Sequence, residues 1–143
     1  MNNRNGLPVI EKKWDWNEYK QIHWKLPESY IEKNIDELDM ELICKFQDIS
    51  ESFMRKHEDI LDWEQISQRK DLSIKFLEDY RYFLNWETVC SVHKIDIEFI
   101  DKFNDFLDWY SLSYNINIDK DVIENYYDNF TDLDTLNYNI GFM

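Results

Sequence analysis

Large apolar residues recur along the chain at a constant interval. Trp63, Trp86 and Trp109 lie 23 residues apart, and Met40 lies one interval before Trp63. Trp16 precedes Met40 by 24 residues, which indicates a diverged first copy. Self-similarity at a fixed period of this length is typical of tandem repeats, each of which is one supersecondary unit. The pattern therefore predicts an array of similar units.

Other positions keep the same phase, and each keeps one type of side chain. An aliphatic residue comes three positions after the tryptophan, and a small residue comes four positions after it. An aliphatic residue with a helix-capping neighbour follows, and then two adjacent apolar residues. The members of these four rows are Ile43, Ile66, Val89 and Leu112; Cys44, Ser67, Cys90 and Ser113; Ile49-Ser50, Leu72-Ser73, Ile95-Asp96 and Ile118-Asp119; and Phe53-Met54, Phe76-Leu77, Phe99-Ile100 and Val122-Ile123. We expect each row to occupy the same place in every copy.

Each repeat carries start signals for two helices. Short polar side chains cap helices because they accept hydrogen bonds from the free N–H groups of the first turn. The predicted caps are Asp39, Asp62, Asn85 and Asp108 for the first helices, and Ser50, Ser73, Asp96 and Asp119 for the second helices. After the second caps, apolar residues follow a helical period. This stripe comprises Phe76, Leu77, Tyr80, Phe83 and Leu84 in one copy, and Phe99, Ile100, Phe103, Phe106 and Leu107 in the next.

A single repeat is too small to bury its own apolar face, so neighbouring copies must stack. We therefore predict an all-α, single-domain chain that forms a short α-solenoid of about five two-helix repeats, with the tryptophan row buried between copies and irregular capping ends. The predicted segments are a flexible lead-in (1–13), an N-terminal capping repeat (14–38), repeats 39–61, 62–84, 85–107 and 108–131, and a C-terminal cap (132–143). The end caps are assigned Trp14, Trp16, Trp24, Leu26 and Pro27 on one side, and Leu133, Leu136, Tyr138, Ile140 and Phe142 on the other.

The motif Trp63-x-x-Ile66-Ser67, followed by Leu72-Ser73-x-x-Phe76-Leu77, resembles tandem helical repeats found in proteins of large DNA viruses and some bacteriophages. The resemblance covers residues 38–130 and implies the repeat architecture and a viral or phage origin. It implies no particular activity, because such arrays are interaction scaffolds of varied use. This chain departs from the motif at Met40, Asp96 and Asp119.

The chain is strongly acidic. It has 16 Lys and Arg against 30 Asp and Glu, a net charge of −14, and the half from residue 72 onward carries −9 of this. Such a charge repels nucleic-acid phosphates and anionic lipids, so we expect no direct nucleic-acid or membrane partner. No apolar run approaches the roughly 20 residues of a membrane span, and the chain begins without a signal-peptide pattern. We expect a cytoplasmic protein, in the host-cell cytoplasm if it is viral.

No motif predicts catalysis, a cofactor or a metal site. Cys44 and Cys90 occupy a row that serine fills in the alternate copies, which indicates packing rather than reactivity, and neither lies in a CxxC pair. His23, His57 and His93 lie at different phases and form no metal-binding motif. Only two glycines occur, so a glycine-rich phosphate loop is excluded. We therefore predict a non-enzymatic protein with no catalytic, cofactor-binding or metal-binding residues.

Carboxylates in the later repeats fall off the apolar stripe at the repeat interval. The predicted partner-binding residues are Glu98, Asp101, Asp105, Asp121, Glu124 and Asp128. A rigid array of carboxylates resembles the phosphate row of a nucleic acid, and we expect it to bind the basic surface of a nucleic-acid-binding protein. The hypothesis is a small viral or phage inhibitor of a host defence protein, for example a CRISPR nuclease.

Three alternatives remain at this point. The carboxylates could serve solubility alone through repulsion between molecules. The chain could be a structural repeat scaffold whose partner docks on an aromatic or mixed surface, with weak salt dependence and an exposed apolar patch. An enzyme would require an enclosed pocket with convergent polar groups. The sequence leaves the oligomeric state open.

Overall fold

A computed structural model describes residues 15–139 of the chain. In this range the chain forms α-helices joined by short turns and 3₁₀ segments, without a β-strand. The prediction of an all-α helical-repeat fold is confirmed. The chain divides into two compact units, the first ending at Asp48 and the second beginning at Ile49. The predicted lead-in, together with Trp14, Ile140 and Phe142, lies outside the described residues.

The first compact unit is described from residue 15 to residue 48. Its elements are α1 (Trp16–His23), α2 (Glu28–Lys33), a 3₁₀ turn (Ile35–Glu37) and α3 (Met40–Phe46). Helix α1 packs on α3. The core contains Leu26, Ile31, Leu38, Ile43 and Cys44. Trp16 and Trp24, which were expected in the N-terminal cap, are 60% and 53% exposed, so Leu26 and Ile31 supply the buried apolar surface instead.

The second compact unit is described from residue 49 to residue 139. Its elements are α4 (Glu51–Lys56), α5 (Trp63–Ser67), α6 (Ile74–Asp79), α7 (Trp86–Val92), α8 (Ile97–Lys102), a 3₁₀ turn (Asn104–Phe106), α9 (Trp109–Ser113), α10 (Lys120–Tyr126), a 3₁₀ turn (Tyr127–Asn129) and α11 (Leu133–Asn139). Every helix described in residues 15–139 is too short or too polar to cross a membrane.

The capping residues predict the helix starts correctly. All of the helices from α3 to α10 begin directly after a predicted cap. In six of them the cap side chain accepts a backbone N–H of the first turn; these caps are Asp39, Ser50, Asp62, Ser73, Asn85 and Asp96. A cap of this kind contributes about 1 kcal/mol. Asp108 instead accepts a hydrogen bond of 2.6 Å from the Ser111 hydroxyl.

Equivalent helices of successive repeats pack together in the second unit. Helix α5 packs on α7, α7 on α9, and α9 on α11, while α8 packs on α10. The segments between helices also meet, because an isolated parallel bridge joins Ile95 and Ile118. The Ile95 N–H donates to the Asn117 carbonyl at 3.1 Å, and the Asp119 N–H donates to the Ile95 carbonyl at 2.8 Å. Each repeat therefore lies beside the next, as the stacking argument requires.

The predicted rows form the core. In the second unit the aliphatic and small rows are buried, at Ile66, Val89 and Leu112 and at Ser67, Cys90 and Ser113. The apolar pairs of the second helices are buried too, at Phe53, Met54, Phe76, Leu77, Phe99, Ile100, Val122 and Ile123. Burial of such side chains is the main stabilising contribution to a fold of this size.

The tryptophan row is less deeply buried than predicted. Trp63, Trp86 and Trp109 are only half-buried, and their rings pack on the second helix of their own repeat. Trp63 lies 5.0 Å from Tyr80 and 6.2 Å from Phe76 between ring centroids. The Trp63 indole N–H donates to the Glu58 carbonyl at 3.1 Å, just before the first helix begins. The indole therefore packs on the second helix of its own repeat and bonds to the turn that ends the preceding repeat.

Phe83 also differs from its prediction. It was placed on the buried stripe, but it is 54% exposed. Helix α6 ends at Asp79, and residues 80–83 form a turn, so the helical period that buries Phe76 and Tyr80 does not extend to Phe83. At the other end of the unit, Leu136 is buried in α11, whereas Leu133 and Tyr138, which are predicted to close the core with it, are 38% and 80% exposed.

Candidate functional site

The six predicted acidic residues are all exposed in the structure, and we call them the acidic face. Glu98 and Asp101 lie on α8, and Asp105 lies in the 3₁₀ turn after it. The other three, Asp121, Glu124 and Asp128, follow at the repeat interval on α10 and in the 3₁₀ turn after it. Because α8 packs on α10, the acidic face consists of two neighbouring rows from successive repeats.

Hydrogen bonds between successive repeats hold the repeats in register. The Asn85 N–H donates to the Ser67 hydroxyl at 2.9 Å, across the junction of two repeats. The backbone of Asp108 makes the equivalent bond to the Cys90 thiol. Each bond links the small residue of one repeat to the helix cap of the next, 18 positions later. The small row therefore holds serine or cysteine because both are compact acceptors at a close approach of two repeats.

The first copy follows the same rule with a different residue. Gln21 lies one repeat interval before Cys44, and its side-chain Oε1 accepts the Asp39 N–H at 2.6 Å. Gln21 is buried. The first copy is therefore in phase at this contact, although Trp16 lies one residue out of phase with the tryptophan row.

A buried amide side chain adds a second bond at the junction of repeats 85–107 and 108–131. Asn115 Nδ2 donates to the carbonyls of Cys90 at 2.8 Å and His93 at 2.6 Å. In the first unit, Gln47 Nε2 donates to the two equivalent carbonyls, and Gln47 is buried as well. The repeat pattern predicts neither residue, because the two differ in type and lie one position apart in phase.

Charged contacts at the junctions of the second helices follow a repeating rule. Arg55 on α4 pairs with Asp79 on α6, with 2.8 Å between Nη1 and Oδ2. At the next junction Glu78 pairs with Lys102 on α8 at 3.4 Å. In both pairs the two residues lie 24 positions apart. The hydrogen bonds from Lys75 and Arg55 lower the pKa of the Asp79 carboxyl. Carboxylates at these two junctions are therefore neutralised within the chain.

The third junction breaks this rule. Asp101 takes the position of Arg55 and Glu78, and the residue 24 positions later is Asn125, which carries no charge. Asp101 accepts instead a hydrogen bond of 3.3 Å from the Tyr126 hydroxyl. Burial raises the pKa of Tyr126, and the nearby carboxylate and this bond raise it further. The carboxylate at the third junction therefore has no cation from the described part of the chain.

The rest of the acidic face is also weakly neutralised. Glu124 pairs with Lys120 at 3.5 Å, but both side chains are mostly exposed, and such pairs contribute little. The structure pairs none of Glu98, Asp105, Asp121 and Asp128 with a cation within residues 15–139. The acidic face therefore carries an excess of negative charge at positions where the two preceding repeats carry no net charge.

Both cysteines and two of the three histidines are packed in the fold. Cys44 and Cys90 are free and buried. His93 is buried, and its ring nitrogens lie 3.0 Å from the Leu72 carbonyl and 3.1 Å from the Lys94 carbonyl. His57 packs on Phe53 at 4.6 Å. Within residues 15–139 no group of three or more His, Cys, Asp or Glu side chains is arranged to hold a metal ion.

We expect Cys90 to be unreactive in the folded protein. Burial raises the pKa of its thiol to about 11, and the thiolate is the reactive form. Alkylation of Cys90 by iodoacetamide at pH 8 should be at least about 100-fold slower in the native chain than in urea, as judged by mass spectrometry of the labelled peptides. Equal rates in the two states would contradict the buried position.

A second exposed feature lies in the turns that follow the second helices. Each turn carries a pair of adjacent residues at the repeat interval, and we call the four pairs the turn edge. They are Asp59-Ile60, Tyr82-Phe83, Asp105-Phe106 and Asp128-Asn129. The helical period predicts that Phe83 and Phe106 are buried, but the equivalent residue in the last copy is Asn129, which indicates a position that tolerates water.

Tyr82 is the most exposed aromatic residue of the turn edge, at 78%. Its ring contacts Phe106 edge to face, with 5.6 Å between centroids.

No family model matches this chain, and neither a curated protein nor a solved structure matches it.

Proposed function

We propose that this protein is a non-enzymatic binding module whose acidic face docks on the basic, nucleic-acid-binding surface of another protein. The proposal includes a viral or phage role, in which the module blocks a host defence protein. The resemblance of the repeats to viral and phage arrays supports the role, and the net charge of −14 supports the choice of partner.

The third junction carries this proposal. Two earlier junctions neutralise their carboxylates with Arg55 and Lys102, whereas Asp101 has no cation in the described chain. Solubility alone would be served by scattered charge, but here the excess lies on two packed helices in matching rows. A partner that supplies cations would complete the charge pattern. Complementary charge of this kind speeds association and makes binding dependent on salt.

Charge reversal on the acidic face should weaken binding. The test combines Asp101→Lys, Asp105→Lys and Asp128→Lys, and it measures how well the chain displaces labelled duplex DNA from a panel of basic nucleases. We expect displacement from at least one nuclease at low salt and about a tenfold loss of affinity in the triple variant, since exposed charge pairs contribute about 0.2–1 kcal/mol each. Raising the salt should weaken the unmodified chain in the same assay.

The matched control has the same net charge and places the reversals elsewhere. Asp36→Lys, Glu41→Lys and Glu87→Lys change three exposed carboxylates outside the acidic face. This variant should displace DNA nearly as well as the unmodified chain, although its net charge equals that of the acidic-face variant. The proposal fails if both triple variants lose the same affinity, or if displacement is insensitive to ionic strength. Circular dichroism of both variants checks that the helices remain.

One observation favours a second candidate function. Tyr82 and Phe83 are more than half exposed, which is unusual for large apolar rings on a protein with no partner. A structural repeat scaffold that binds its partner through these rings, without imitating nucleic acid, would explain them. Partner binding would then be retained at high salt and lost in Tyr82→Ser.

A further inference from the structure

The turn edge carries both rings and carboxylates at equivalent positions of successive turns. Tyr82 and Phe83 are exposed, while Asp59, Asp105 and Asp128 occupy the position of Tyr82 in the other repeats. Two of these three carboxylates also belong to the acidic face. The same turns thus present apolar area and negative charge side by side.

Tyr82 and Asp105 line one groove. The groove has a volume of about 410 Å³ and lies between the ends of α6 and α8, where Glu78, Phe103 and Phe106 complete its wall together with Arg81 and Lys102. Lys102 is paired with Glu78. Arg81 lies over one face of the Tyr82 ring at 4.8 Å from its centre. Asp105 forms no ion pair within the described residues. It directly precedes Phe106 in the sequence.

The chain itself shows how its surface accommodates a guanidinium group. The Arg55 guanidinium lies 5.5 Å from the ring centres of Phe76 and Tyr80, while it pairs with Asp79. An aromatic face and a carboxylate together therefore hold an arginine at a repeat junction. Arg81 over Tyr82 repeats the stacking part of this arrangement on the turn edge.

We propose that the turn edge binds arginine side chains of a basic polypeptide segment, an inference that rests on the proposed function of the acidic face. Arginine fits because its planar group stacks on rings and is more weakly hydrated than the lysine ammonium. A purely apolar partner would bury the carboxylates of the edge without counter-charges, which is costly. Tyr82 and the edge carboxylates thus make the surface selective for arginine among basic residues.

Fluorescence anisotropy with labelled oligo-arginine and oligo-lysine peptides of equal length tests this. The unmodified chain should bind oligo-arginine about fivefold more tightly than Tyr82→Ser does, while the two chains should bind oligo-lysine alike, because stacking on an exposed ring adds a modest gain for each contact. Tyr82→Leu, which keeps apolar area without a ring face, should resemble Tyr82→Ser. Tyr138→Ser removes another ring of similar exposure, 80%, outside the edge and should change neither affinity.

The outcomes separate this inference from the proposed function. Loss of oligo-lysine binding in the Asp101→Lys, Asp105→Lys, Asp128→Lys variant supports the acidic face whatever Tyr82 does. Oligo-arginine binding that is unchanged in Tyr82→Ser, or equally weakened in Tyr138→Ser, overturns the arginine inference alone. Absence of binding by both peptides to the unmodified chain overturns both.

Discussion

Replacement of Phe99 by alanine is expected to lower the free energy of unfolding by about 3–5 kcal/mol. Phe99 is fully buried in α8, and its ring packs 4.9 Å from Phe103 and 5.5 Å from His93 between centroids. The change removes apolar contact and leaves a cavity that neighbouring rings fill only in part. Urea unfolding followed by circular dichroism measures the loss.

Phe83→Ala is the matched control. It also deletes a phenylalanine ring, and the sequence pattern predicts that Phe83 lies on the equivalent apolar stripe of the preceding repeat. Phe83 is mostly exposed and contacts Trp63 at 5.1 Å between centroids. We expect a loss of about 1 kcal/mol or less, since little area leaves the core. Similar losses in the two variants would mean that both rings are buried and that the turn after α6 is wrongly placed.

Replacement of Asn115 by leucine should cost about 2–4 kcal/mol. Its amide satisfies two carbonyls, those of Cys90 and His93, in a buried junction. Leucine is close to asparagine in size but leaves both carbonyls without a donor, and each unsatisfied buried group costs about 1–3 kcal/mol. The same urea experiment measures this effect.

Asn125→Leu provides the comparison for this junction. The Asn125 amide also donates to a backbone carbonyl, that of Asp121, but it does so on the exposed side of α10. Water can replace that bond, so we expect a change below about 0.5 kcal/mol. If Asn115→Leu is as mild as Asn125→Leu, the junction is open to water and does not hold the repeats in register.

Helix starts were predictable because they depend on neighbouring residues. A cap such as Ser73 acts within one turn, and the structure begins α6 at the next residue. The periodic rows were predictable for a related reason, since a residue such as Cys90 must meet the same surroundings as Ser67 in the preceding copy.

The surroundings of the rings were less predictable. The helical period that places Phe76 in the core also predicts a buried Phe83, but α6 ends before this period reaches Phe83. Helix ends depend on tertiary packing and carry weaker sequence signals than helix starts. The partial exposure of the tryptophan row was not predictable either, because periodic recurrence does not show how deeply a ring is buried.

The six residues of the acidic face were chosen from their phase alone, and the structure leaves them exposed. Their charge excess could not be derived in this way. It depends on the pairing of residues 24 positions apart, and only the packed helices show that Lys102 neutralises Glu78 while no cation of the described residues meets Asp101.

By itself, the sequence determined the repeat interval, the helix starts and the buried rows, because each is encoded by nearby residues or by recurrence along the chain. Tertiary structure decided which side chains meet across the junctions, such as Asn115 with the Cys90 carbonyl. It also decided which rings and carboxylates stay in water. The physical reason is that these contacts join residues about one repeat apart, and stacking geometry selects their partners.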